Sequence, residues 1–347
     1  MTSPLKYKLV GKQRVKFSPS EGREIALHQI QALIDLPKHG VKAGDIGGWV
    51  EGPHNLNQEG ACWVEGEAEV YGEARVTDDA LIRCQARVYG SAVVAGDATV
   101  EGVAKVYGKA LISGSARVSG NSDICGHADV SGSAVVHDTD IEDHAVIKDN
   151  VKIVDSYVRD RAVVRGDMTI RNAYIIEYAH IEGSGTLEKI AASGHACISG
   201  NVTLHKVIIS DHALIMGDVV LRGKQEDGMN TSCRVRGRMI FRDGAYVTHP
   251  EHMLAISPIG RDLDTLTAYT GVTTGEDGKQ QAVIRVARGL YTGTIDEFID
   301  HVIEKDAGER KEETFIYLQL APLIKSHFAR AVKELQAVLD AQASESH

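Results

Sequence analysis

The sequence predicts a mainly-β chain whose centre winds into a single-stranded, triangular parallel β-helix of about ten coils, capped N-terminally and followed by a small α/β domain. Three observations carry this. An aliphatic residue recurs every six positions from Val64 to Val136. A small residue, nearly always Ala, stands two positions before each anchor from Val70 to Val136, with Ser122 the one departure. The chain also holds 35 Gly against 7 Pro, a composition of many tight turns.

An α-helix cannot use a period of six, whereas short strands joined by turns can. Small-x-aliphatic is period-two alternation, so both ends of each triplet face inward and x faces out. A Gly four positions before the anchor, as at Gly72, Gly90, Gly108, Gly114 and Gly120, supplies the positive φ of the turn. Three such strands close a triangle of 18 residues.

Past Val136 the steps become 6, 6 and 5, a coil of 17 residues. The first column then runs Ile124, Ile141, Val158, Ile175, Ala192 and Ile209; the second Val130, Ile147, Val164, Ile181, Ile198 and Ile215; the third Val136, Ile153, Ile170, Leu187, Leu204 and Leu221. Two positions before the second column stands an unbroken alanine file, Ala128, Ala145, Ala162, Ala179, Ala196 and Ala213, preceded by Ala110, Ala92 and Ala74. An insertion, Gly223 to Met229, interrupts the walls before a last coil at Val235, Phe241 and Val247. With strands stacked about 4.8 Å apart, such a rod is about 45–50 Å long.

The domains are read as an N-terminal cap (1–62), the solenoid (63–250) and an α/β C-terminal domain ending in helices (251–347). In the cap, Leu27, Ile30 and Leu33 suit a helix face, while two short strands suit the β-rich surroundings equally well. Trp49 and Trp63, the only tryptophans, are expected to lid the open end of the prism. Beyond the solenoid, Leu266 to Tyr269 and Ala282 to Arg288 read as strands around the hairpin Thr274 to Gly278. Thr294-Ile-Asp-Glu297 is a capping box opening a helix through Ile303. A second helical region spans about Glu309 to Ala341, with Pro322 expected to kink or divide it. Its stripe of Leu323, Phe328, Val332, Leu335 and Leu339 packs on its own domain or on a second subunit.

A net charge of -10 and a pI near 5.8 argue against a broad phosphate-binding surface, so nucleic acid is not an expected partner. Five cysteines without a CxxC pair read as free thiols in a reducing cytosol. The N-terminus lacks the apolar core of a signal peptide, and no run approaches the roughly 20 apolar residues of a membrane span. A cytoplasmic location without membrane contact is expected.

These repeats resemble the left-handed β-helix superfamily of hexapeptide-repeat proteins, which includes trimeric acyltransferases and γ-type carbonic anhydrases. Lys42-Ala-Gly, Gly47-Gly-Trp-Val50, Gln58 and Cys62-Trp63 resemble the cap of a bacterial and prophage-borne subgroup labelled transferases with no assigned reaction. Ile259-Gly-Arg261, Thr265-Leu-Thr, Tyr269, Gly289 and Gly293-Thr-Ile-Asp-Glu-Phe298 resemble a small domain that ends such phage proteins. Left-handedness is what the resemblance implies; the spacing alone also fits a right-handed, bactofilin-like rod. The superfamily leans to trimers, while a capped rod could also stand alone or dimerise through its C-terminal helix.

One outward file carries chemistry. Three positions before the second column run Lys109, His127, His144, Arg161, Tyr178, His195 and His212, preceded at four places by Asp143, Asp160, Glu177 and Asp211. Stacking sets His127 beside His144, and His195 beside His212, roughly 5 Å apart. The candidate binding edge is Asp143, His144, Asp160, Arg161, Glu177, Tyr178, Asp211 and His212. Two imidazoles with Asp143 or Asp211 are zinc-ligand types. Turns favour Asp and tolerate exposed His, however, so neither a metal nor a cofactor is assigned. The γ-type carbonic anhydrases need three histidines, two of them close in sequence, a spacing not matched. The acyltransferases need a groove histidine, for which His127, His144, His195 and His212 are candidates and none stands out. His249-Pro-Glu-His252 has ligand-type residues at the solenoid exit, where a turn explains it.

The leading expectation is a non-enzymatic scaffold that presents a rigid edge to a protein partner, such as a phage or prophage factor that blocks a host protein. The alternative is an acyltransferase-like hexapeptide-repeat enzyme acting at subunit grooves. Nucleic-acid mimicry would need a continuous carboxylate stripe, which Arg161 interrupts.

Overall fold

The computed structural model describes residues 5–19, 21–226, 229–260, 263–305 and 311–345. The chain is mainly β, a parallel-sheet solenoid of about ten turns with a C-terminal helix. It forms two compact units, residues 1–178 and 179–347.

In the first unit, strands of two or three residues pair in parallel with the strands one coil before and one coil after. Val100 pairs with Ile82 on one side and Val118 on the other, a register of 18 residues. From Ile124 onward the register is 17, as in Ile124 with Ile141, Val130 with Ile147 and Ile153 with Ile170. Ala74, Ala92, Ala110, Ala128, Ala145 and Ala162 are all 0 % exposed, as are the aliphatic anchors beside them. The outward residue of each strand donates its N–H to the carbonyl of the next coil's small residue, as in Leu81 to Ala98 and Arg87 to Ala104, both at 2.9 Å. Glycines hold the corners: a Cβ at Gly108 (φ 70°) would come within 2.9 Å of the Gly126 nitrogen, so glycine stacks on glycine.

The five-residue step deprives one corner of a regular backbone partner. Hydroxyls replace it. Thr139 donates its N–H to Ser122 Oγ (3.1 Å), Ser156 to Thr139 Oγ1 (3.3 Å) and Ala173 to Ser156 Oγ (3.1 Å). Ser122 therefore has a physical reason to depart from alanine, and it opens a buried ladder that follows the change of step.

The N-terminal segment is a β-structure. β1 (Tyr7–Ser18) and β2 (Arg23–Ala32) form an antiparallel hairpin, and β3 (Ile46–Val50) pairs with β2 and then in parallel with Glu69–Val70. Leu27 and Ile30 are both buried although three apart, because the strand pairing shifts register nearby, between Gln29 and Gln31. A bulge of this kind imitates a helical spacing. Leu33 lies exposed.

The tryptophans do not lid the prism. Trp49 pairs in register with Glu69 and Trp63 with Leu81, positions whose side chains leave the walls outward. Trp49 is buried with Ile25, Leu27 and Tyr71, and the Arg14 guanidinium lies 4.2 Å from its ring centre. Trp63 is covered at Gly47, where a Cβ would approach its ring to 2.6 Å. The carbonyls of this end are met by Tyr7, whose hydroxyl donates to Leu56 O (2.7 Å), and by the fully buried Lys6, whose Nζ donates to Cys62 O (2.9 Å).

In the second unit, Ile198 pairs with Ile215 and Leu204 with Leu221. The next register is wider: Ile209, Ile215 and Leu221 pair with Val235, Phe241 and Val247, matching the expected last coil. The extra residues form a small antiparallel pair, Lys224–Glu226 with Met229–Thr231, while Asp227 and Gly228 of the insertion lie outside the described residues. An antiparallel sheet follows, in which Thr274 pairs with Gln280 at the hairpin. The capping box forms as expected: Thr294 N–H donates to Glu297 Oε2 (2.7 Å), and Glu297 N–H to Thr294 Oγ1 (3.3 Å), opening α1 (Ile295–Lys305). α2 (Lys311–Glu345) continues through Pro322 undivided. The start expected near Glu309 lies outside the described residues. Its buried face is Tyr317, Ala321, Ile324, Phe328, Ala331, Leu335 and Leu339, so Ile324 takes the place expected of Leu323, which is 66 % exposed. Most of that face joins Leu266, Val286 and Phe298 in one core.

The hydroxyl ladder yields a measurable expectation. Thr139→Val keeps the volume but leaves the buried Ser156 N–H without an acceptor, a cost of about 1–3 kcal/mol. Thermal unfolding followed by circular dichroism should show a lower midpoint than for Thr99→Val on the outward side of a strand.

Candidate functional site

The edge file forms at the corner before the second column. Asp143, Asp160 and Glu177 take φ values of 57°, 61° and 61°, the left-handed conformation held by Gly108 and Gly126 in earlier coils. Asp tolerates it better than most residues. The residue after each acid donates its N–H to the next acid's carbonyl: His144 to Asp160 O and Arg161 to Glu177 O, both at 2.8 Å. This ladder spaces the side chains one coil apart. His127 and His144 stack with ring centres 4.9 Å apart and planes 8° from parallel, and the Arg161 guanidinium lies 5.8 Å from the Tyr178 ring centre.

Asp143, His144, Asp160, Arg161, Glu177 and Tyr178 line one shallow groove of about 350 Å³. Six of the eight expected edge residues are thus brought together, all in the first unit. Asp211 and His212 stand in the second, where His212 stacks on His195 at 5.1 Å and 3°. His127 lies outside the groove lining.

The carboxylates are not free-standing charges. Asp160 Oδ2 accepts the Glu177 N–H at 3.0 Å and lies 3.4 Å from Arg159 Nε. Asp211 Oδ2 accepts the Gly237 N–H at 3.0 Å. Asp160 and Asp211 thus each tie their corner to that of the next coil. The imidazole pairs cannot converge on one ion, because parallel stacked rings hold their nitrogens side by side. Among the described residues, no group of three His, Cys, Asp or Glu side chains is placed to hold a metal. The groove can therefore offer hydrogen bonds and charge, with Arg161 and Tyr178 as its large contact groups.

A second surface was hidden in the sequence. On the outer face of the first-column wall, Tyr71, Tyr89 and Tyr107 stack at 5.0 and 4.8 Å. Their spacing of 18 was the available signal. Burial pushes the Tyr71 and Tyr89 hydroxyls up to about 12. Further along the same face Asp123, Asp140 and Glu142 gather, and Tyr157 donates to Glu142 Oε2 at 2.6 Å. Burial, then the charge of Asp123, raises the Asp140 carboxyl above the usual aspartate range.

In the second unit His252 is buried and its ring lies 5.6 Å from that of His249, tilted by 43°. Burial, then His249, holds His252 below the usual histidine range. The motif forms a short turn, Pro250–His252, as expected.

No protein-family model matches this sequence, and no curated protein matches it.

Asp140 gives a prediction with a definite sign. Its folded carboxyl keeps a proton to higher pH than the unfolded one, so ionisation costs stability above that range and nothing once both states are protonated. Asp140→Asn should raise the urea midpoint at about pH 7 and leave it unchanged at about pH 3. An equal gain at both would show that packing, not charge, is responsible.

Proposed function

We propose that this protein is a scaffold that binds a protein partner, without chemistry at that site, through the edge groove of Asp143, His144, Asp160, Arg161, Glu177 and Tyr178. The observation that carries this reading is that the six side chains share one groove on a main-chain ladder, so binding orders few groups. Tyr178 and Arg161 are of the types that dominate binding energy at interfaces, and the acids around them set charge preference. The resemblance to prophage-borne β-helix proteins supports a cytoplasmic factor that blocks a host protein. The wider superfamily's leaning supports a trimer, while a capped rod could also stand alone or dimerise through its C-terminal helix.

The second reading, an acyltransferase-like hexapeptide-repeat enzyme, draws on the same resemblance and on the place of His144 in the groove. Native mass spectrometry of the protein from its own host separates the two. A stoichiometric protein partner, lost in the double variant Arg161→Glu/Tyr178→Ala while the thermal midpoint holds, supports the scaffold. A bare oligomer retaining an acyl donor, whose turnover is lost in His144→Ala, overturns it.

A further inference from the structure

The wall position just after the third column runs Arg83, Glu101, Ser119, His137 and Val154 in successive coils. Between Ser119 and His137 lies the change of step: six residues separate Val118 from Ile124, and five separate Val136 from Ile141. The shortened corner puts Asp138 at φ 45° and turns its carboxylate back onto the preceding coil, where Oδ1 accepts the Asn121 N–H at 2.7 Å. The other oxygen lies 3.1 Å from His137 Nε2, and His137 Nδ1 lies 2.9 Å from Ser119 Oγ. Gly120, at φ 69°, makes room for this: a Cβ there would collide with Asp138 Oδ1 and stand 3.0 Å from His137 Cε1.

The polarity of the chain of contacts follows from its members. An ionised carboxylate only accepts, so its position favours the tautomer with the proton on Nε2. Nδ1 is then an acceptor, and the Ser119 hydroxyl donates to it. The alternative acceptor, Val136 O, is more distant from Ser119 Oγ at 3.2 Å. A hydroxyl on an imidazole nitrogen, with the other nitrogen beside a carboxylate, is the arrangement that activates a serine.

We propose that Ser119 is a nucleophile activated by His137, with Asp138 as the positioning residue, and that this face cleaves small unhindered acyl esters. His137 is 48 % and Asp138 43 % exposed, so an accessible carbonyl rather than a long acyl chain suits the site. Ser119 Oγ bonds to the ester carbonyl carbon as His137 Nδ1 takes the hydroxyl proton. The ester C–O bond breaks and the alcohol leaves with that proton. Water, deprotonated by the same imidazole, attacks the acyl-serine; the acid departs and Ser119 regains its proton. This reactivity is independent of the edge groove.

The test uses the full chain with a small alkyl fluorophosphonate, read by intact mass and peptide mapping, and with p-nitrophenyl acetate turnover. The expected result is one adduct on Ser119, absent in Ser119→Ala, formed about a hundredfold more slowly in His137→Gln and more slowly in Asp138→Asn. Turnover should fall in the same order, with thermal midpoints of Ser119→Ala and wild type alike. No adduct on the wild-type chain, an adduct that survives Ser119→Ala, or an unchanged rate in His137→Gln overturns the proposal. Loss of thermal stability in the variants without any wild-type adduct does so too, since it assigns the contacts to sealing the corner alone.

Discussion

The constraint on which everything else rests is the coil-to-coil backbone ladder. Each outward residue gives its N–H to a carbonyl of the next coil, and strands so paired sit about 4.8 Å apart. A residue type chosen once is therefore placed against the same position of its neighbours. Small residues become a file that lets three walls close, aliphatics become a column that fills the prism, and corner residues must share one left-handed conformation. Where a side chain is planar, the same spacing makes a stack, which is why Tyr71, Tyr89 and Tyr107 and the two histidine pairs adopt one geometry.

That regularity decides what the sequence could disclose. Interior positions were legible because periodicity and burial report the same thing: Val130, Ile147 and Val164 recur at the coil length and all are fully buried. The edge file was legible for the same reason, since a fixed offset from a known column is a fixed place on the surface. What the offset could not give was the groove, whose depth depends on how far Arg161 and Tyr178 reach. The cap was less legible. Leu27 and Ile30 mimic a helix because a register shift changes the phase of the strand, and Trp49 and Trp63 face outward under cover that comes from residues far away in sequence. Ser119, His137 and Asp138 were hidden differently. Their neighbours are set by which corner loses a residue, and the hydroxyl ladder at the same corner records that choice only once the coils are stacked.

The corner acids show how one residue serves two demands. Asp160 and Asp211 accept a main-chain N–H from the next coil, which offsets part of the strain of a positive φ in a residue with a side chain. Their charge at the edge is thus a by-product of closing the turn until something else uses it. His144, Arg161 and Tyr178 add an imidazole, a guanidinium and a phenol to this groove, and they are what distinguishes the edge from an ordinary run of turns.

A regular wall favours recognition over chemistry. Identical spacing sets groups in parallel, as the stacked imidazoles are, and parallel groups can be read by an extended partner surface but do not converge on a reacting atom. Convergence needs a break in the repeat. In the first unit the break is the loss of one residue between coils, and it is there that a carboxylate folds back on an imidazole and the imidazole on a hydroxyl. The recognition proposed for the regular edge and the reactivity proposed for the irregular corner therefore follow from one physical rule, applied where the repeat holds and where it fails.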